Sequence, residues 1–277
     1  MAEIISNDFS DRDVSFLIET VDRTLLNKVE AIKGDSAFIE SILDAEAGKV
    51  FQRIMQMNDD SLIASISPRF LFDILLRVAY SELENRAYTV ERTANHEIPV
   101  FDSPEVVRFL SNKAVLRYLA DMLASFTRIE SFTMPVRVRK GVWRRIRYND
   151  MDLDSLLRFC QTVDEERRFG YYKRIADICL FISGIFPEYA TRNRHLPSTD
   201  RTKTGLFGRL RRSIEDYEEE GRRFYRLAGE HSDARLLHLT EIFHQLQDEF
   251  NLAKKPLNYI SENFLRFRRG KLFPSIS

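Results

Sequence analysis

The sequence predicts a mainly α protein, a multi-helix array carrying one or two small β-hairpins. Apolar residues recur at helical spacing along most of the 277 residues, as helices with one buried face require. With only 10 Gly and 8 Pro, the chain has too few turn formers for a β-sandwich or barrel. A hydrophobic fraction of 44%, including 21 Phe and 10 Tyr, supplies a packed interior that a disordered chain lacks. Roughly eight to ten helices are expected, in one domain over 1–277 or in two parts, 1–132 and 133–277.

The first helix is expected over about 13–32, where Phe16, Leu17, Val21, Leu25, Val29 and Ile32 share a face that ends near Gly34. A second follows over 35–57, with Phe38, Ile39, Ile42, Leu43, Val50 and Ile54 as its stripe. Ser67-Pro68 reads as a cap followed by a first-turn proline, opening a helix so apolar that it belongs at the centre. Residues 88–93 and 96–101 are β-leaning and suit a small hairpin. Asp102-Ser103-Pro104-Glu105 then restarts helix, which runs to about Arg128.

Residues 134–148 alternate with period two. Val136, Val138, Val142, Ile146 and Tyr148 interleave with arginines around Lys140-Gly141, which predicts a basic hairpin with one apolar face. Helix resumes over 152–163 and 165–186, the latter broken near Gly170 and stopped by Pro187. Ile178–Phe186 is apolar all round and is expected at a buried centre. Asp177 beside it needs a cationic partner if it is buried. Residues 190–208 lack periodicity, and three closing helices are expected over 209–229, 233–250 and 256–267.

Formal net charge is zero, yet residues 1–65 hold 13 acidic side chains against 6 basic ones. An acidic N-terminal part docking on a basic remainder is the simpler reading of that asymmetry. Cys160 and Cys179 both sit in apolar helical patterns and read as buried free thiols. The opening MAEIISNDFSDRD has neither the basic nor the apolar region of a secretory signal. The apolar run at 178–186 is about half of a bilayer span. A soluble cytoplasmic protein that does not engage membrane is expected.

Candidate chemistry falls in three places. In the hairpin, Arg137, Arg139, Lys140, Trp143, Arg144, Arg145 and Arg147 could meet phosphates, with Trp143 on a base. Arg209, Arg211 and Arg212, beside the Thr-rich loop 192–212, could add a second phosphate contact, although no glycine-rich phosphate fingerprint is present. His238, Glu241 and His244 form His-x-x-Glu-x-x-His, which on a continuous helix would put three metal ligands on one face. Neither a nucleophile elbow nor an activated cysteine occurs, so no catalytic residue and no cofactor is expected.

The leading expectation is a non-enzymatic interaction or scaffold protein that binds a protein partner or itself. A nucleic-acid-binding module using 136–147 and 192–212 is the alternative, favoured by the arginines and disfavoured by overall neutrality. An enzyme with an unrecognised polar pocket also stays open.

Overall fold

The computed structural model describes residues 9–92, 97–128, 131–139, 142–192 and 212–274. Side chains are described at all of these except 91, 92, 97, 132, 134–139, 142–144, 146–148, 191 and 192. The fold is mainly α, with fifteen α-helices and two two-stranded antiparallel sheets among the described residues. It divides into two units, residues 1–127 with 255–277, and residues 128–254.

In the first unit, Ser10 caps α1 (Asp11–Val21), and the Asp13 carboxylate accepts in turn from the Ser10 amide at 3.0 Å. The single helix expected over 13–32 stops at Asp22. That carboxylate accepts from both the amide (2.9 Å) and the hydroxyl (2.7 Å) of Thr24, local bonds that compete with helix. The chain continues as a 3-10 turn, Arg23–Lys28, and a short α2 (Val29–Lys33). Next come α3 (Ser36–Gln56), capped by Asp35, and α4 (Asp59–Ser65), capped by Asn58. Phe38, expected in the α3 stripe, is 38% exposed, whereas Ile39, Leu43, Val50 and Ile54 are buried.

The Ser67-Pro68 pair opens α5 (Pro68–Glu84), and eleven of its 17 residues are buried, as a central helix requires. The first hairpin follows as β1 (Thr89–Arg92) and β2 (Glu97–Val100), with Thr89 opposite Val100. Then come α6 (Ser103–Ser111) and α7 (Lys113–Ser125). Asp102 precedes α6 as expected but does not cap it. Its carboxylate instead accepts from the Thr89 hydroxyl (2.6 Å) and from Lys255, tying the hairpin and the C-terminal segment together.

The second unit begins with the ribbon of β3 (Ser131–Arg139) and β4 (Val142–Asn149), where period-two alternation places it. Arg137 lies opposite Trp143, Pro135 opposite Arg145 and Thr133 opposite Arg147, with a bulge between Arg137 and Arg139. α8 (Leu153–Thr162) is capped by Asp152. A 3-10 turn, Glu165–Arg167, interrupts the helix expected from 165. α9 (Phe169–Ile185) and α10 (Pro187–Arg192) follow. The unit continues with α11 (Ile214–Glu230), α12 (Ser232–Leu236) and α13 (Thr240–Asp248).

α9 is buried from Ile175 to Ile185 and packs along α11. Gly221 of α11 makes this approach close, since a Cβ there would stand 3.1 Å from the Cys179 Cβ and 2.4 Å from the Phe250 ring. Asp177 is fully buried and accepts from Lys173 Nζ at 2.7 Å and from the Tyr225 hydroxyl at 2.9 Å. The cationic partner that its burial demands is therefore supplied one turn back on the same helix.

α14 (Phe250–Asn263) begins in the second unit and ends in the first. Pro256, expected at a helix start, lies inside it. Burial of Phe250, Ala253, Leu257 and Ile260 along one face offsets the roughly 3 kcal/mol that an interior proline costs. Beyond it, Phe264 packs on Phe51 and Phe273 stacks on Phe72 at 5.8 Å. Arg268 donates to the Met57 carbonyl at 2.7 Å. The chain closes with α15 (Arg269–Leu272).

Leu180 is fully buried in α9, so Leu180→Ala should cost about 2–5 kcal/mol. Urea denaturation of the two proteins measures it, and an unchanged midpoint would contradict the central placement of α9.

Candidate interaction groove

Arg77 and Asp73 lie one turn apart in α5, both almost wholly buried. Two charges inside a core helix must find partners, because an isolated buried charge is expensive. Arg77 Nε donates to Asp73 at 2.5 Å and Nη2 to Glu40 at 2.8 Å, while Nη1 donates to Asp44. Glu40 and Asp44 are themselves one turn apart on α3. From α7, Arg117 reaches Glu40 at 2.8 Å and Lys113 reaches Asp44. α3 and α7 are thereby bridged across α5 by a ladder of three carboxylates and three cations.

The charges respond to that setting. Burial pushes the Glu40 carboxyl up, but bonds and charge from Arg77 and Arg117 outweigh it and hold Glu40 below its ordinary 4.5. For Asp73 the balance reverses, and burial raises it despite Arg77. Arg77, against its own burial, is raised by Asp73 and Glu40 and stays charged.

Beyond the ladder the helices leave a groove of about 720 Å³. Its lining includes the buried apolar residues Ala47, Val78, Leu110 and Leu116. Ala45 and Gly48 form part of the α3 side, and a Cβ at Gly48 would meet nothing within 4 Å. Phe51 and Tyr80 add aromatic surface, while Gln52, Glu82, Glu84 and Ser111 add polar groups. The lining is therefore mixed, with small and apolar residues alongside charged and polar ones. Both lining cations are already engaged, Arg77 by three carboxylates and Lys113 by Asp44.

The residues expected to carry chemistry lie elsewhere. Arg137, Arg139, Trp143, Arg144 and Arg147 occupy the β3–β4 ribbon, with side chains outside the described set, and Arg145 is exposed. Lys140, Arg209 and Arg211 lie outside the described residues. Arg212 is 13% exposed and pairs with Asp154 at 2.5 Å. The helix expected over 233–250 is broken between α12 and α13, and His238 sits in that break with φ 57°, exposed. It therefore does not share a helical face with Glu241 and His244. Glu241 is exposed, whereas the His244 ring packs where a Cβ on Gly229 would be 2.9 Å away. Among the described residues, no group of three or more His, Cys, Asp or Glu side chains could hold a metal ion.

Sequence reasoning missed the groove. The available signal was the Asp73–Arg77 pair inside an otherwise apolar helix, together with Ala45, Ala47 and Gly48 in the middle of α3. No family model, no curated protein and no solved structure matches the chain.

Glu40 has a lowered pKa in the folded state, so the unfolded chain binds its proton more readily. Its stabilisation is then complete above 4.5 and is lost as pH falls through the lowered value. Glu40→Gln should cost stability at pH 7 and much less at pH 3. Urea midpoints at both pH values measure this, and an equal loss at each would remove the ladder's charge as the cause.

Proposed function

We propose that this chain is a protein-binding module and that the groove of the first unit receives a helical segment of a protein partner. One observation carries the reading. Apolar residues line an open groove beside Gly48, where the fold neither fills the space nor requires a glycine. Glycine inside a helix is less favourable than alanine by about 0.5–1 kcal/mol. A glycine kept at that cost beside empty space suits a site where another backbone comes close. The volume matches roughly one and a half to two turns of a helix about 10 Å across. No helix among the described residues is long and apolar enough to cross a membrane. A cytoplasmic location belongs to the same reading and is supported by two buried free thiols, Cys160 and Cys179.

The test fills the groove without touching the core. Gly48→Ala should raise stability by about 0.5–1 kcal/mol, and Gly48→Trp should fold normally, because its Cβ has room. In affinity capture from the native cell, a protein held by the wild type should be lost with Gly48→Trp. Equal capture by both would end the groove reading.

A second reading, nucleic-acid binding, is favoured by the register of the ribbon. Trp143, Arg145 and Arg147 recur at every second position of β4, opposite Arg137, Pro135 and Thr133, and Arg145 is exposed. Such a strand could follow a phosphate backbone. Under it, affinity for a fluorescent duplex should fall with salt at a log–log slope of about −0.9 per contact, and Arg145→Glu should weaken binding. Salt-independent or absent binding contradicts it.

A further inference from the structure

We infer that the occupant of the groove is a basic amphipathic helix, one whose apolar face is bordered by lysine or arginine. The inference rests on the groove reading above and adds the charge of the partner. Both lining cations are committed: Arg77 has donated to Asp73, Asp44 and Glu40, and Lys113 to Asp44. An anionic partner would have to break those pairs before it met a positive charge.

The acids divide differently. Asp44 belongs to the ladder, but Glu82 and Glu84 line the groove from the C-terminal part of α5. Glu82 accepts a hydrogen bond from the Tyr259 hydroxyl. Burial and that bond push Tyr259 up to about 12, so at neutral pH it remains a donor. Glu84 is exposed. Arg86, just beyond the helix, lies over the Tyr259 ring and is not among the lining residues. An incoming cation therefore meets two carboxylates beside an apolar floor, where partial desolvation strengthens the attraction. Phe51 and Tyr80 supply faces on which the alkyl stems of lysine or arginine can lie.

A library of amphipathic helical peptides, with one apolar face and randomised flanking positions, is selected on the full chain and, in parallel, on Gly48→Trp and Glu82→Lys/Glu84→Lys. Peptides enriched on the wild type relative to Gly48→Trp should carry an excess of Lys and Arg at the flanks. The charge-reversed protein should instead enrich Asp and Glu. Fluorescence anisotropy of one selected peptide should show at least a tenfold loss of affinity on Glu82→Lys/Glu84→Lys, with the helical circular dichroism of the folded protein retained. Groove-dependent enrichment without a charge bias overturns the basic partner and leaves the groove reading standing. No difference between the wild type and Gly48→Trp overturns both.

Discussion

Arg77 puts a positive charge in the middle of the helix that fills the core of the first unit. Left alone it would cost more than a domain of this kind has to spare. Three carboxylates answer it, from α5 itself and from two successive turns of α3, and two of those are held in turn from α7. Long side chains joining head to head link α3 and α7 across α5. The groove lies beside them, with Asp44, Arg77 and Lys113 in its lining.

The second unit handles a buried charge differently. Asp177 takes its cation from its own helix and its second donor from Tyr225 on α11. Gly221 lets α11 close on α9 and Phe250. In the first unit the buried cation is answered from two helices, whereas in the second the buried carboxylate takes a cation from its own helix.

Much of the fold was legible because its determinants are local. The Ser67 cap, the first-turn Pro68 and the alternation of 134–148 each act within a few residues. The misreadings have local physical causes as well. Asp22 bonds Thr24 and ends a helix that apolar spacing alone would continue, and Pro256 is overridden by burial on both sides of it. The groove is different in kind. Arg77 meets Asp44 and Glu40 across 33 and 37 positions, and Arg117 meets Glu40 across 77. No pattern within one helix encodes those meetings. The buried Asp73–Arg77 pair announced only that partners must exist, and the small residues Ala45, Ala47 and Gly48 mark a thin stretch of α3 without saying what lies beside it.

Gly48 and Gly221 both lie in the middle of a helix, yet they stand under unlike pressures. At Gly221 any side chain would strike the Phe250 ring, so packing alone forbids change. At Gly48 the architecture is indifferent, and random drift would drain glycine away toward residues that make better helix. Among diverged descendants of this chain, glycine at 221 would record only the demands of folding. Glycine persisting at 48 would record natural selection acting on the groove itself.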